Sequence, residues 1–422
     1  MHSGPAGFDG GSVTLALGEI DLSDRAFWAR PMAEREQAFA LLRAQPAPMR
    51  FAEPVVGYAP PGDGFYALVR HADIVEASRR PEIFSSAKGS TSVHDLTPEF
   101  AEYFGSMISM DDPRHARLRR IVSRAFTPKM IQKFEDDVRA EAARIVDELL
   151  AVGPGCDFVG EVAARLPLKI ICDMMGIPAE HYRTVYEATN VILSGGDPEF
   201  VSDAENAGAL LLGAGERLAG LVTSLAKDRP DGLISALTSA NIDGEQLTVQ
   251  ELGSFFILLV VAGNETTRNA ISHGLHLLTE NPDQRDLLLA DLDGRVGGAV
   301  EEIVRLASPV AWMRRTVTRD HEMNGTSYRE GDKVLLFYWA ANRDEDVFTD
   351  PYRFDILRDP NPHLGFGGPG PHFCLGAHLA RREIRVLFRE LLSRIPEIRS
   401  VGEPDRLRSS FINGIKRMPC AF

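Results

Sequence analysis

Hydrophobic residues recur every three or four positions along most of the chain, which is the period of a helix with one buried face. Stretches with the pattern of a strand are short and scattered, at 65–69, 310–317, 321–323 and 333–338. The pattern therefore predicts a mainly α fold with a small β portion. The predicted helices cover residues 32–44, 71–80, 98–104, 113–125, 128–151, 159–174, 179–193, 203–227, 248–279, 282–289, 296–306 and 376–394.

The length of 422 residues alone would suggest two or three domains. However, the chain has no internal repeat, no low-complexity tract and no Gly/Ser-rich linker between its periodic segments. Its first residues are rich in glycine and weakly patterned. We therefore predict a single domain over residues 21–422, preceded by a loosely ordered extension over residues 1–20.

Charge and composition exclude several classes of protein. The 46 basic and 60 acidic residues give a net charge of −14, which opposes non-specific nucleic-acid binding. The longest apolar run, at 255–262, is far shorter than the roughly 20 residues that span a bilayer, and the N-terminus has no signal-peptide pattern. Four scattered cysteines fit neither a disulfide framework nor a zinc site. We expect a reduced, cytoplasmic protein.

The predicted helix 248–279 carries polar residues at its centre, where the segment 262–267 reads AGNETT. Gly263 costs about 1 kcal/mol relative to alanine in a helix interior, so we expect a neighbouring group to use the space that its missing side chain leaves. One interpretation is a surface-facing turn of a core helix. The other is a site that combines the acid Glu265 with the alcohol Thr266.

A glycine-rich loop, LGFGGPGPHFCLG at 364–376, runs directly into the last predicted helix and places Cys374 at its N-terminus. The helix dipole and the free N–H groups favour a thiolate there. A single thiolate, without a second Cys or His at ligand spacing, suits haem iron better than zinc. The alternative is a buried free thiol, which is what we expect for Cys156, Cys172 and Cys420.

Three further patterns group charged side chains. Glu302 and Arg305 share a face of the predicted helix 296–306, and Arg353, in the stretch DPYRF, could complete their cluster. His115 and Arg119, four residues apart, could together hold an anionic group. Each pattern alone is more typical of a solvated surface network.

In this order and spacing, the motifs resemble those of the cytochrome P450 family, from about Ile20 to the end of the chain. The resemblance implies the cytochrome P450 fold, with a long central helix and a haem-binding Cys loop. It also implies a haem-thiolate monooxygenase that inserts one oxygen atom of O2 into an unactivated C–H bond, with haem b (iron protoporphyrin IX) as cofactor and Cys374 as the metal ligand. One departure is that Phe366 lies eight residues before Cys374, where the family usually has seven.

The resemblance assigns roles to the other motifs. Glu265 and Thr266 are then catalytic and deliver protons during oxygen activation. Glu302, Arg305 and Arg353 form a structural cluster behind the haem, whose disruption would leave buried charge unpaired. The cofactor-binding residues that it implies are His115, Arg119, Arg315 (with its neighbour Arg314 as the open alternative), His372, Gly263, Phe366, Gly370 and Gly376.

Several segments are similar, more narrowly, to mycobacterial cytochromes P450 that hydroxylate methyl-branched lipids and sterol side chains. These segments are 102–107, 111–115, 255–269, 341–344 and 411–418. The similarity implies omega-hydroxylation of branched fatty acids, isoprenoids and sterol side chains in an apolar pocket. The implied pocket residues are Phe104, Met107, Ile192, Leu258, Val261, Ala262, Val310, Trp312 and Phe411.

Two alternatives remain open, namely a P450 that oxidises a secondary metabolite or another apolar compound, and a haem-containing lipid-binding protein without turnover. The pair Glu265 and Thr266 argues against the second, because a protein without turnover needs no proton relay. The chain has no flavin or nicotinamide domain, so the resemblance implies a small iron–sulfur ferredoxin and its NAD(P)H-dependent reductase as electron donors. The residues that could form a basic patch for this donor, or an ordinary charged helix face, are Arg117, Arg120, Arg124 and Lys129.

Overall fold

The computed structural model describes residues 15–60, 62–123, 126, 132, 134–201, 206–228, 241–242 and 245–422. In these ranges the chain is mainly helical, as the hydrophobic spacing predicts, and a π-helical turn at Val159–Ala163 precedes one of the helices. The α-helices, numbered in chain order, are α1 Arg25–Trp28, α2 Met32–Arg43, α3 His71–Arg79, α4 Pro98–Phe104, α5 Arg114–Ser123, α6 Glu135–Val152, α7 Arg165–Met175, α8 Tyr182–Leu193, α9 Ala207–Asp228, α10 Val249–Glu280, α11 Pro282–Ala290, α12 Leu292–Ala307, α13 Tyr338–Ala341 and α14 Ala377–Arg394.

The strands are short, as predicted. The largest sheet of the described residues has the order β1-β2-β9-β6-β3, in which β2 and β9 run parallel and the other neighbours run antiparallel. The strand bounds are β1 Arg50–Phe51, β2 Phe65–Leu68, β3 Phe84–Ser85, β4 Asn241–Ile242, β5 Glu245–Gln246, β6 Met313–Val317, β7 His321–Met323, β8 Thr326–Tyr328, β9 Lys333–Leu336, β10 Arg399–Ser400, β11 Asp405–Arg406, β12 Ile415–Arg417 and β13 Cys420–Ala421.

Helix α10 is the central element of the fold. It begins with a capping box, in which the Thr248 hydroxyl accepts from the N–H of Glu251 while the Glu251 carboxylate accepts from the N–H of Thr248. It ends at Glu280 because Asn281 precedes Pro282, and a residue before proline disfavours helical backbone. Its apolar faces pack against α4, α7, α8, α9, α12 and α14. Among the described helices, none combines the length and apolar composition that crossing a bilayer requires.

Two parts of the chain differ from the sequence-based expectation. Residues 1–14 of the expected loose extension lie outside the described residues, but Leu15 and Ile20 are buried in an apolar cluster with Trp28 and Phe39. The predicted strand 333–338 ends at Leu336, and Tyr338 begins α13. The run from 334 to 341 is continuously apolar, and such a run does not distinguish a buried strand from a buried helical turn. The turn at 243–244 and most of residues 128–133 also lie outside the described residues.

Candidate active site

A cavity lies between α10, β6 and the loop that precedes α14, and its empty space, together with the part that opens to solvent, amounts to about 1430 Å³. Its wall includes Ala262 and Thr266 from α10, Arg315 from β6, and Cys374 from the loop. Apolar side chains and a few polar groups thus meet at one concave site, as in most sites that bind a small molecule or a cofactor.

Cys374 lies where the glycine-rich loop turns into α14, and its side chain is exposed to the cavity. Its N–H donates to the carbonyl of Phe366 at 3.0 Å, and the N–H groups of Gly376 and Ala377 donate to its sulfur. The sequence predicts a lowered pKa here, but burial raises the pKa of Cys374, and the N–H groups and Arg119 oppose this only in part. A thiol that coordinates a metal ion is deprotonated by that ion, so this environment suits a metal ligand.

The backbone path of the loop depends on two glycines. Gly367 has a φ of +87°, which favours glycine. Gly370 packs so closely on the backbone carbonyl of Ser78 in α3 that a Cβ atom would clash with it. Gly370 therefore fixes the loop against α3 and is not part of the cavity wall, whereas Phe366 lines the cavity, with the Arg381 guanidinium 4.2 Å from the centre of its ring.

Two guanidinium groups form a cationic edge of the cavity, and the neutral imidazole of His372 lies beside them. Arg119 donates to the carbonyl of Phe373 at 2.6 Å, and Arg315 donates to the carbonyl of Arg314 at 2.6 Å. Neither arginine forms an ion pair with a carboxylate of the described residues. Burial lowers the pKa of both arginines. Burial and the charge of Arg315 also lower the pKa of His372 to about 2. Cations in an apolar site require anionic partners, so this edge is built for an anion.

The structure decides between Arg314 and Arg315. Successive side chains of a strand point to opposite faces, and Arg315 is the one that lines the cavity. Arg314 is fully buried on the other face, where it donates to the carbonyl of Val93 at 3.1 Å and pairs with Asp95.

His115 lies behind the cationic edge and not in the cavity wall. Its ring centre is 4.2 Å from that of His372, and its Nδ1 atom is 3.3 Å from a carboxylate oxygen of Asp112. Its Nε2 atom is buried without a hydrogen-bond partner in the described structure. A thiol facing the cavity, unpaired cations at its edge and this orphaned imidazole nitrogen together fit a haem, whose two carboxylates need such partners.

Thr266 lines the cavity and bonds its own helix. Its hydroxyl donates to the carbonyl of Ala262, one turn earlier in the helix, at 2.7 Å. Ala262, although at the middle of α10, is exposed to the cavity. Gly263 also lines the cavity, and a Cβ atom there would lie 3.1 Å from Ile171 of α7. Its missing side chain therefore serves the close approach of α7 to α10.

Glu265 lies outside the cavity, on the side of α10 that faces α8. It is 1% exposed, and its Oε1 atom accepts from Asn269 at 3.1 Å and from the guanidinium of Arg268. Its Oε2 atom has no hydrogen-bond partner among the described residues. Arg268 in turn donates to Asn190 at 2.8 Å and lies over the ring of Tyr186. The acid and the alcohol are thus adjacent in sequence but face different surroundings.

The Glu302–Arg305 pair is completely buried and bonds the segment that precedes the loop, through the carbonyls of Asn342 and Pro351. Both nitrogens of the Arg305 fork donate to the Glu302 carboxylate at 2.7 Å. Arg353, which the sequence places in this cluster, is exposed, and only its carbonyl accepts from Arg305. The second guanidinium on Glu302 belongs to Arg358, at 3.2 Å, which corrects the sequence-based assignment. The irregular backbone turns between Arg353 and Arg358, and sequence spacing does not show which arginine turns inward.

The predicted apolar pocket is reproduced only in part. The predicted residues in the cavity wall are Met107, Leu258, Ala262 and Val310. Trp312 instead packs on Phe411, with ring centres 5.0 Å apart, in the cluster that also contains Phe39. Phe104 lies against Gly215 of α9, and Val261 and Ile192 pack in the main core. These five residues are apolar and close in sequence to the site, but the backbone of the segment that carries each one points its side chain into the core and not into the cavity.

Sequence reasoning missed Glu383 of α14, a carboxyl group in the cavity wall. It is 3% exposed, and burial raises its pKa to about 8. Its Oε2 atom has no hydrogen-bond partner in the part of the chain that the structure describes. The sequence did contain a pattern that could have indicated its burial. Glu383 lies one residue before Ile384 and four before Leu387, on the apolar face of α14. A carboxyl on a core-facing stripe is expected to be neutral.

Replacing Glu383 with glutamine should remove a pH-dependent loss of stability. The folded state binds this proton more tightly than the unfolded chain, where the pKa is near 4.5, so wild-type stability falls as pH rises from about 4.5 to about 8. We expect the thermal midpoint of the wild type to fall relative to that of Glu383→Gln over this range. Glu390→Gln is the control, because Glu390 lies on the same helix but is half-exposed, and the pH dependence of its thermal midpoint should match that of the wild type. A parallel pH profile for wild type and Glu383→Gln would contradict the assignment.

A long central helix over a cavity with a thiol loop and an unpaired cationic edge defines a haem-thiolate protein. A family model described as cytochrome P450 matches residues 216–396. The methyl-branched lipid omega-hydroxylase of Mycobacterium tuberculosis (strain ATCC 25618 / H37Rv) is 51% identical over 413 residues, which are 96% of this chain and 95% of that protein. The steroid C26-monooxygenase of Mycolicibacterium smegmatis is 39% identical over 385 residues, 88% of each chain.

A solved structure shows the same architecture. Mycobacterium marinum cytochrome P450 CYP268A2, in complex with pseudoionone, is 44% identical, has a TM-score of 0.89 and is matched over 97% of this chain and 100% of that chain. The chain belongs to the cytochrome P450 family. It is therefore a monooxygenase whose cofactor is haem with a cysteine thiolate ligand.

Proposed function

We propose that this P450 hydroxylates the terminal carbon of methyl-branched lipids and of sterol side chains. The observation that carries the proposal is the 51% identity, over nearly the full length of both chains, to a protein named methyl-branched lipid omega-hydroxylase. The identity of 39% to a steroid C26-monooxygenase supports the sterol side chain as a second substrate.

The chemistry of the cavity wall supports an apolar substrate. The part of the wall formed by Met107, Phe255, Leu258, Val310 and Met313 is aliphatic or aromatic. The charged groups of the wall lie at the cationic edge, and the carboxyl of Glu383, whose pKa burial raises to about 8, is neutral at pH 7. A hydrocarbon chain transfers favourably to such a wall, at about 25 cal/mol per Å² of apolar surface. A terminal C–H bond is stronger than its neighbours, so a wall of this kind must exclude the easier positions by holding the chain end in place.

The chain offers a complete set of groups to hold the cofactor. We assign Cys374 as the iron ligand, and Arg119, Arg315 and His372, with His115 behind it, as the partners of the carboxylates. Bound haem supplies the activation of O2 from which one oxygen atom enters the C–H bond. The buried Glu302–Arg305 pair holds the segment 342–361, which leads into the loop, and is not part of the cavity wall.

Two residues of α10 have separate roles in proton delivery. The hydroxyl group of Thr266 lies at the cavity wall, and in this structure it donates its proton to the carbonyl of Ala262. Glu265 holds a carboxylate on the α8 side, next to Arg268. A proton that reaches Glu265 from the α8 side can pass to Thr266 when the acid side chain turns away from Arg268. General acid–base groups of this kind contribute about 10²–10⁴-fold to a rate.

A P450 of this kind takes its electrons from redox partners, and we propose a small acidic ferredoxin as the direct donor. Helix α5 lies beside the Cys374 loop, since Arg119 contacts the carbonyl of Phe373, and Arg120 on the same helix is exposed. Arg117 is half-buried on this helix, whereas Arg124 and Lys129 lie outside the described residues. Basic groups near the thiolate loop complement an acidic donor.

The substrate class is tested by titrating the purified ferric protein and following its haem spectrum. The ligands are a methyl-branched fatty acid, its linear counterpart and cholest-4-en-3-one. We expect a low-to-high-spin shift that is strongest with the branched chain, and turnover of that ligand to the terminal alcohol. No shift with any of the three ligands would exclude the lipid assignment and leave the monooxygenase class intact.

Replacing Thr266 with alanine should uncouple the reaction. Without the hydroxyl at the cavity wall, we expect the amount of product per reducing equivalent to fall by about tenfold or more. Reductant should still be consumed, and hydrogen peroxide should be released. Product, reductant and peroxide are measured in the same reaction. Thr266→Ser keeps the hydroxyl and should retain coupling. Unchanged coupling in Thr266→Ala would contradict the role of Thr266.

A further inference from the structure

Two cysteines that the haem site does not use face each other near the C-terminus. Cys156 follows α6 and Cys420 lies in β13, and their Sγ atoms are 3.7 Å apart although 264 positions separate them in sequence. Cys156 is half-buried and Cys420 is fully buried. Two thiols at this distance are in van der Waals contact, and a covalent bond between them needs only a further small approach.

The backbone around the two cysteines has the geometry of neighbouring antiparallel strands. Asp157 pairs with Pro419 in an antiparallel bridge, which places Cys156 opposite Cys420 in the same register. The N–H of Cys420 donates to the carbonyl of Cys156 at 3.0 Å, and the N–H of Gly155 donates to the carbonyl of Cys420 at 2.7 Å. Opposite residues of such pairs have Cα atoms about 4.5–5.5 Å apart, inside the range of about 4.4–6.8 Å that disulfides span.

We propose that Cys156 and Cys420 are a thiol pair that hydrogen peroxide oxidises to an intramolecular disulfide. The thiolate of Cys156 attacks one oxygen of the peroxide, the O–O bond breaks, and a sulfenic acid and hydroxide form. The sulfur of Cys420 then attacks the sulfenic sulfur, the S–S bond forms and hydroxide leaves with the Cys420 proton as water. In total, two thiols lose two electrons and two protons, and peroxide is reduced to two molecules of water.

Accessibility fixes the order of the two steps. Cys156 is the thiol that solvent reaches, whereas Cys420 is fully buried, and burial raises its pKa. Cys420 is therefore shielded from peroxide in solution and meets only the sulfenic acid that forms beside it. Cys172 is fully buried, burial raises its pKa to about 12, and it has no thiol neighbour among the described residues. Peroxide itself is one by-product of turnover in which reductant is consumed without hydroxylation.

The disulfide would attach the C-terminal strand at a second point. The chain that leads into β13 already bonds the cavity wall, because the carbonyl of Phe411 accepts from Ala311 at 2.8 Å and the N–H of Asn413 donates to Pro309 at 2.9 Å. A cross-link between residues 264 positions apart restricts the unfolded chain strongly. We expect the oxidised protein to unfold a few degrees above the reduced protein.

The test uses the haem-loaded protein, reduced and then treated with hydrogen peroxide or, to spare the haem, with diamide. Free thiols are alkylated, the protein is digested without reductant, and the peptides are identified by mass spectrometry. We expect a joined peptide that contains Cys156 and Cys420 and disappears on reduction, together with a rise in the thermal midpoint that dithiothreitol reverses. Cys156→Ser and Cys420→Ser should each abolish both signals, and Cys172→Ala should retain both.

The wild-type protein alone decides the outcome, so a variant that fails to fold does not affect it. Alkylation of both Cys156 and Cys420 after oxidation would overturn the proposal. So would conversion of Cys156 to a sulfinic acid without the joined peptide, because Cys420 would then have failed to capture the sulfenic acid.

Discussion

Replacing Arg305 with lysine should lower the free energy of unfolding by about 3–5 kcal/mol and reduce the haem that each chain retains. The guanidinium of Arg305 is fully buried and donates at 2.7–3.0 Å to both oxygens of Glu302 and to the carbonyls of Asn342, Pro351 and Arg353. A lysine ammonium carries its three donors on one atom and cannot reproduce this fork. The substitution therefore leaves buried carbonyl groups unpaired and the Glu302 charge compensated only in part.

The measurement is chemical unfolding of the haem-loaded protein, with the ratio of haem to protein determined in parallel. Arg183→Lys is the matched control, because Arg183 forms a helical ion pair with Glu187 in which the side chains are 86% and 59% exposed. An exposed pair contributes about 0–1 kcal/mol, so this variant should remain close to the wild type. Equal stability and equal haem content in the two variants would contradict a supporting role for Arg305.

Replacing Glu265 with glutamine should lower kcat about 100-fold while the substrate-induced spin shift stays unchanged. Glu265 lies outside the cavity, so substrate binding does not involve its side chain. Glutamine has nearly the same size and can still accept from Arg268 and Asn269, but it cannot release and regain a proton. The substitution therefore separates proton delivery from binding.

Glu265→Asp is the control for this prediction, because it keeps the carboxylate and should recover most of the activity. Thermal stability is measured for both variants, since the glutamine also removes the charge partner of the buried Arg268. A proton-delivery role predicts a larger solvent isotope effect on kcat in Glu265→Gln. A purely structural role would lower stability and haem content in both variants and leave the isotope effect unchanged.

The long helix and the thiol loop could be predicted from the sequence because their signals are local. Thr248 and Glu251 form a cap within one turn. At the other end, Pro282 follows the C-cap residue Asn281 and stops the helix at Glu280. The glycines of the loop and the Cys374 at the start of α14 are also contiguous. Such signals act over a few residues, so they remain visible without knowledge of the rest of the fold.

The supporting residues could be predicted less well because their positions depend on distant packing. Arg353 and Arg358 lie five residues apart in an irregular segment, and only the folded backbone brings Arg358 to Glu302. Trp312 and Phe411 are apolar residues near the site in sequence, yet they pack on each other in the second apolar cluster. An apolar residue is suited equally to a pocket and to a core, and the choice between them is made by the elements around it.

The sequence was enough to recognise the family and to predict the thiolate ligand and the acid and alcohol of the central helix, because each is a residue type at a fixed local spacing. The folded structure was needed to show which side of α10 Glu265 faces and that Arg315 and not Arg314 reaches the cavity. It was also needed to show that Glu383 lies in the cavity wall with an oxygen that has no partner among the described residues. It also brought Cys156 to Cys420 across 264 positions. The physical reason is that the direction of a side chain follows from its own backbone, whereas its partners and its burial follow from segments that arrive from elsewhere in the chain.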